Sequence, residues 1–101
     1  MLNCQISGLG EKEEDFKEQI IDLVEKKCEK IGAIRVVEEL KVRFKKHHAD
    51  GERAKYSANV HMFSSLGEFR AESTEWDIIL AVKEALRTIE TEFKRKKDRS
   101  D

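Results

Sequence analysis

The spacing of apolar residues changes along the chain, and this change restricts the fold more than any other feature of the sequence. A short segment with apolar residues at every second position is followed by a helical period, then by three further alternating segments, and then by a second helical period. Alternation indicates strands with one buried face, and a spacing of three or four indicates helices with one buried face. The predicted order of elements is β-α-β-β-β-α.

Two amphipathic helices are predicted. The first runs from about Glu11 to a stop at Gly32, and the second continues to about Lys97. Thr74, followed by Asp77, is predicted to cap the second helix. The apolar stripe of the first helix comprises Phe16, Ile20, Val24 and Ile31, and that of the second comprises Ile78, Val82, Ala85, Leu86, Ile89 and Phe93.

Four strands are predicted from the alternating segments. They cover residues 2–7, roughly 35–47, 55–62 and 68–72. The Asp50-Gly51 pair is a turn signal, and residues 47–52 are predicted to form a hairpin loop.

These elements predict an α+β two-layer sandwich in which both helices pack on one face of a four-stranded sheet. Only 39% of the 101 residues are apolar and 41% are charged, which suffices for one modest core. We therefore expect a single domain over residues 1–97 and a polar tail over 98–101. The sequence contains no apolar run of membrane-spanning length, and its two cysteines without export features favour the cytoplasm.

Catalytic and metal-binding motifs are not found. The Ser7–Gly10 segment resembles a phosphate-binding loop only faintly, and a strand-to-helix turn is the better interpretation. The side chains capable of binding a metal are Cys4, Cys28, His47, His48 and His61. Their spacing matches no zinc module, so we expect no metal, no cofactor and no enzymatic activity. Cys4 and Cys28 are predicted to be buried thiols, with a disulfide between them as the lesser alternative.

The net charge of −1 conceals an uneven distribution. Residues 1–34 carry 5 basic and 8 acidic side chains, whereas residues 35–61 carry 7 basic and 4 acidic ones. This excludes a globally basic nucleic-acid-binding protein, but it allows a local basic surface.

Basic residues cluster in three places. On the second helix, Lys83, Arg87 and Lys94 fall within about 40° of one another, opposite the apolar stripe. Arg95 and Lys97 extend this cluster, and the end of the first helix supplies Lys26, Lys27 and Lys30. A third cluster is predicted on the open sheet face and its hairpin, where it comprises Lys41, Arg43, Lys45, Lys46, Arg53, Lys55 and Arg70. A solvated face explains any single cluster, but several clusters together favour a polyanionic partner.

Two aromatic side chains have two interpretations each, and Leu80 indicates a different class of function. Trp76 and Phe63 are either ordinary packing residues or platforms on which a base stacks. Leu80 projects from the polar face of the second helix, which favours a protein-interaction or assembly module that uses Leu80, Phe63 or an exposed sheet edge.

The element order and several local segments resemble the ribosome hibernation-promoting and ribosome-associated translation-inhibitor family, short form. The segments are Tyr56–Met62, Gly67–Glu72, Glu75–Asp77, Ala81–Leu86, Lys94–Lys97 and the strand end Ser7-Gly8. The resemblance implies a domain similar to double-stranded-RNA-binding domains, which binds rRNA of the small subunit, occludes the mRNA and tRNA channel and represses translation under stress. It further implies a protein that is a monomer off the ribosome and binds neither a membrane nor a small-molecule substrate.

Carried over by position, the resemblance implies that the rRNA-binding residues lie on both helices. They are Lys26, Lys27, Lys30, Lys83, Arg87, Lys94, Arg95 and Lys97. Secondary RNA contacts are expected at Arg43, Lys45, Lys46 and Lys55.

Overall fold

The computed structural model describes residues 3–51 and 53–99. It contains four strands and two α-helices in the predicted order, together with a short 3-10 helix that leads into the first α-helix. The elements are β1 (Cys4–Ser7), the 3-10 helix (Glu11–Phe16), α1 (Lys17–Lys30), β2 (Val37–Asp50), β3 (Arg53–Ser64), β4 (Gly67–Glu75) and α2 (Ile78–Arg99).

The four strands form one mixed sheet in the order β1-β2-β3-β4. β1 runs parallel to β2, with Cys4 opposite Leu40, whereas the remaining neighbours are antiparallel. α1 makes the crossover that a parallel neighbour requires, and a two-residue turn at residues 65–66 joins β3 to β4.

Both helices pack on the same face of this sheet and enclose one core. α1 contributes Ile20, Val24 and Cys28, all of which are fully buried or nearly so. Every residue of the predicted α2 stripe is buried as well. The opposing sheet side chains are Leu40, Val42, Phe44, Ala58, Val60, Met62, Phe69 and Ala71. The predicted α+β two-layer sandwich is confirmed.

The first helix begins differently from the prediction. Residues 11–16 form a 3-10 helix, and α-helical geometry starts only at Lys17. The carboxylate of buried Glu13 accepts a hydrogen bond from the Gly10 N–H at 3.2 Å and lies 3.7 Å from the Lys46 ammonium of β2. The contact between Glu13 and Lys46 connects the 3-10 helix to β2.

The predicted hairpin loop at residues 47–52 is wrong in extent. Backbone pairing continues past His47, which lies opposite Lys55, as far as the Asp50–Arg53 pair, with a register shift between His48 and Asp50. β2 also begins later than predicted, because the N–H groups of Val36 and Val37 both bond to the Ala33 carbonyl in a turn.

Thr74 does not cap α2. It lies within β4, where its hydroxyl is 2.7 Å from the Ser57 hydroxyl. Asp77 caps the helix instead, because its Oδ1 accepts hydrogen bonds from the Ile79 and Leu80 N–H groups at 2.8 and 3.1 Å. β4 is accordingly longer than predicted.

α2 continues to Arg99, so it includes the first two positions of the expected polar tail, and the last two residues lie outside the described part of the chain. Among the described residues, neither helix combines the length and the apolar character that crossing a membrane requires.

Candidate nucleic-acid interface

α1 and α2 lie side by side on the sheet, and an ion pair joins them. The Lys27 ammonium of α1 donates a hydrogen bond to Oε1 of Glu90 on α2 at 2.7 Å. Both side chains are largely shielded from solvent, with exposed fractions of 22% and 15%. The pair links the two helices beside an open groove.

This interhelix groove has a volume of about 440 Å³ and combines a basic rim with an apolar floor. It is lined by Leu23, Lys26, Lys27 and Lys30 of α1, and by Leu80, Lys83, Glu84, Leu86 and Arg87 of α2. Five of the eight cationic residues predicted to bind rRNA therefore meet here. Helical spacing explains this, since Lys26 and Lys30 are one turn apart, as are Lys83 and Arg87.

Four of the five groove cations, all except Lys27, are only weakly engaged within the protein. Lys26 pairs with Asp22 at 2.9 Å, but both side chains are more than half exposed. Arg87 lies 3.8 Å from Glu84 and is also largely exposed. Exposed pairs of this kind contribute little to stability, and their cations exchange readily to another anion. Lys30 and Lys83 form no ion pair with the side chains that the structure describes.

The three remaining predicted residues of α2 lie outside the groove lining. The Lys94 ammonium donates to Oε2 of Glu90 at 2.9 Å, so it joins the network that spans the helices. Lys97 reaches the end of α1, where a Cβ added to Gly32 would lie 3.1 Å from its Nζ. Arg95 lines a different depression beside Glu68 and Glu92. The structure thus separates Arg95 from the other predicted residues.

The acidic residue Glu25 of α1 lies on the side of the helix that faces β1. Glu25 contributes to the raised pKa values of the Cys4 and Cys28 thiols, which places it beside β1. Burial is the larger cause and raises the pKa of each thiol to about 11. Both cysteines are free thiols, so the disulfide alternative is not observed.

The predicted cluster on the open sheet face is only partly correct. Arg43, Lys45 and Lys55 do project there, and the Lys55 ammonium lies 5.1 Å from the centre of the Trp76 ring. Lys46 instead lies on the side of the 3-10 helix, near Glu13 and 5.9 Å from the Tyr56 ring centre. The position of Lys46 could have been predicted from the sequence. Side chains alternate between the two faces of a strand, so Lys46 lies on the same helix-covered face as Leu40, Val42 and Phe44.

The side chains considered as metal ligands do not come together. His47 Nε2 is 3.0 Å from the Ser57 hydroxyl, and His61 stacks on Phe63. The side chain of His48, like that of Arg53, lies outside the described part. Within that part, no group of three or more His, Cys, Asp or Glu side chains is arranged to hold a metal ion.

Glu90 and Leu23 are site residues that the sequence analysis missed. The spacing of Glu90 and Lys94, four residues apart on a helix, predicts their contact. The contact with Lys27 joins residues 63 positions apart, and no periodic pattern indicates it.

Solved structures with the same architecture exist, although no protein-family model and no curated protein matches the chain. A ribosomal subunit interface protein from Coxiella burnetii superposes with a TM-score of 0.70 at 17% identity, covering 96% of this chain and 99% of that one. The N-terminal domain of Protein Y from Thermus thermophilus superposes with a TM-score of 0.62 at 26% identity, covering 94% and 98%. The predicted resemblance is confirmed at the level of structure.

The chain therefore has a Protein Y-like structure over nearly its whole length. The Coxiella protein is named for the interface of ribosomal subunits.

Proposed function

We propose that this protein binds rRNA of the small ribosomal subunit through the interhelix groove and represses translation by occluding the mRNA and tRNA channel. The observation that carries the proposal is the convergence of five cationic side chains from two helices on one groove. The similarity to a ribosomal subunit interface protein supports the choice of partner.

The mechanism is steric occlusion held by charge contacts. Exposed Lys and Arg heads exchange their weak carboxylate partners for phosphate oxygens, and each phosphate neutralised releases counterions. The helices rest on a sheet with a continuous core, so the groove keeps its shape when it meets RNA. Stress-dependent hibernation and a monomeric state off the ribosome belong to the same proposal.

Co-sedimentation of the purified protein with small subunits tests this function. With about five phosphate contacts, raising the salt concentration from 50 to 200 mM is expected to weaken binding by roughly 10²–10³-fold. Binding that is absent, or that does not respond to salt, contradicts the proposal.

Charge reversal locates the binding surface. Lys83→Glu with Arg87→Glu places two negative charges in the groove and is expected to abolish co-sedimentation at physiological salt. The matched control is Lys12→Glu with Lys17→Glu, which makes the same charge change on exposed residues that do not line the groove. Equal losses in the two variants would show that only net charge matters. Circular dichroism checks that both variants remain folded.

Leu80 favours a second candidate function, a protein-interaction module. Its side chain is 41% exposed and lies in the groove together with Leu23 and Leu86. If the groove binds protein, Leu80→Asp abolishes a concentration-dependent oligomer, and the wild-type protein has no affinity for ribosomal subunits. Analytical ultracentrifugation distinguishes this outcome from RNA binding.

A further inference from the structure

The open sheet face, on the side of the sheet opposite the helices, carries a second cationic surface. Its centre is a depression of about 270 Å³ lined by Lys41, Arg43, Asn59, His61 and Arg70. Lys41, His61 and Arg70 are direct cross-strand neighbours on β2, β3 and β4. This sheet-face depression shares no residue with the interhelix groove.

Positive charge dominates the lining of the depression. Arg43 forms no ion pair with a described side chain, and Lys41 has only an exposed contact of 3.5 Å with Glu39. Among the described residues, the carboxylates next to this depression are Glu39, Glu68 and Glu72. None of them lines it, and Glu68 lies 3.9 Å from His61 Nε2. Glu72 instead accepts a hydrogen bond from the neutral Asn59 amide at 3.2 Å. The depression is thus complementary to an anion.

An aromatic pair borders the same cations. The rings of His61 and Phe63 stack with centroids 3.9 Å apart and planes inclined by 29°. Lys41 Nζ lies 5.6 Å from the Phe63 centroid. Burial and the Arg70 charge lower the pKa of His61, and its Nε2 accepts a long hydrogen bond of 3.4 Å from Arg70 Nε. The aromatic pair therefore lies directly beside the positive groups of Lys41 and Arg70.

This combination selects among anionic partners. An acidic peptide supplies charge but no ring to stack, and a duplex hides the faces of its bases within the helical stack. An unpaired nucleotide offers both a phosphate and an exposed base, and stacking of a base on an aromatic side chain tolerates any sequence.

We propose that the sheet-face depression binds single-stranded RNA, with a base stacked on the Phe63–His61 pair and the adjacent phosphate held by the three cationic side chains. The surface goes beyond the groove proposed to bind rRNA. Only the choice of RNA over DNA rests on the proposed ribosomal function. A test with isolated oligonucleotides involves no ribosome, so the two proposals fail independently.

Fluorescence anisotropy with a labelled twelve-nucleotide oligouridylate tests the proposal. Phe63→Leu removes the ring but keeps an apolar side chain, and it is expected to weaken binding roughly five-fold or more, the lower end of the range for loss of one stacked base. Phe63→Tyr, which keeps the ring, retains wild-type affinity. Arg70→Gln weakens binding, whereas Lys12→Gln, a neutralised control far from the depression, leaves it within two-fold.

Several outcomes overturn the proposal. One is an affinity within two-fold of wild type in both Phe63→Leu and Arg70→Gln. Another is an equal loss in Phe63→Leu for a twelve-base-pair RNA duplex, which would mean that no base is stacked. A third is an oligoglutamate peptide that binds as tightly as the oligouridylate. If circular dichroism shows that Phe63→Leu is unfolded, the comparison of Arg70→Gln with Lys12→Gln decides.

Discussion

Glu90 is the side chain whose removal gives the most quantitative prediction. Its two carboxylate oxygens accept hydrogen bonds from Lys27 at 2.7 Å and from Lys94 at 2.9 Å, and its side chain is only 15% exposed. These bonds lower the pKa of Glu90 from 4.5 to about 2, against a smaller opposing effect of burial. Glu90→Gln removes the charge but keeps the shape.

The shift in pKa sets the expected loss of stability. A change from 4.5 to about 2 corresponds to roughly 3 kcal/mol, since one unit is about 1.4 kcal/mol. Solvent screens this interaction because the Lys94 side chain is 57% exposed. Lys94 also loses conformational entropy when it pairs with Glu90. We therefore expect Glu90→Gln to reduce the free energy of unfolding by about 1–2 kcal/mol at pH 7.

The loss of unfolding free energy in Glu90→Gln is expected to become smaller as the pH falls. A carboxyl group whose pKa is lowered by folding stabilises the native state fully above its unfolded value, here 4.5, and loses that contribution as the pH falls through about 2. The difference between wild type and Glu90→Gln should thus be constant from pH 5 to 8 and shrink towards pH 2.

Urea denaturation followed by circular dichroism, repeated between pH 2.5 and 7, measures this difference. Glu92→Gln is the matched control, because Glu92 is an exposed α2 residue with no ion pair among the described side chains. A difference that stays the same down to pH 2.5, or a Glu90→Gln variant as stable as wild type at pH 7, would refute the reasoning. In the same variant, Lys27 and Lys94 lose an anion, so binding to the small subunit should become tighter.

Further predictions follow from particular contacts in the fold. Asp77→Ala removes the cap of α2 and should lower the free energy of unfolding by about 1 kcal/mol in urea denaturation; no loss would mean that the cap contributes nothing. Buried Cys28 and partly buried Cys4, with pKa values of about 11, should react with iodoacetamide at pH 8 roughly ten-fold or more slowly than the unfolded chain. Equal rates would contradict their shielding from solvent. Gly8 has φ +86, and a Cβ there would lie 2.1 Å from the Phe44 carbonyl oxygen. Gly8→Ala should therefore lower the free energy of unfolding by about 2 kcal/mol or more. A thermal midpoint equal to that of the wild type would exclude this clash.

The core residues could be predicted from the sequence, because burying one face of a strand or helix requires apolar residues at a regular spacing. Leu40, Val42 and Phe44 alternate with charged residues, so only one face of β2 can be buried. The α2 stripe follows from the same logic at a period of 3.6. In both cases the sequence carries the pattern that the packing requires.

The length of the hairpin was not predictable in this way. Residues 47–50 contain no apolar alternation, yet the backbone continues to pair there as strand. Backbone hydrogen bonds hold this end of the hairpin, and they leave no signature in side-chain hydropathy. The cap of α2 was misplaced for a related reason, since Thr74 and Asp77 are both good cap residues and only the end of β4 decides between them.

We expect affinity for the ribosome to depend on the positions of the charges rather than on the net charge of the protein. At physiological ionic strength a charge is screened over about 8 Å. Acidic residues on the far flank of α1, such as Glu18 and Glu25, therefore contribute little to the potential in the groove, although they bring the total charge to −1. Glu90 is different because it contacts two of the predicted cations directly. Neutralising Glu18 should leave ribosome binding unchanged, whereas neutralising Glu90 should strengthen it, and this contrast separates local from global charge as the cause of affinity.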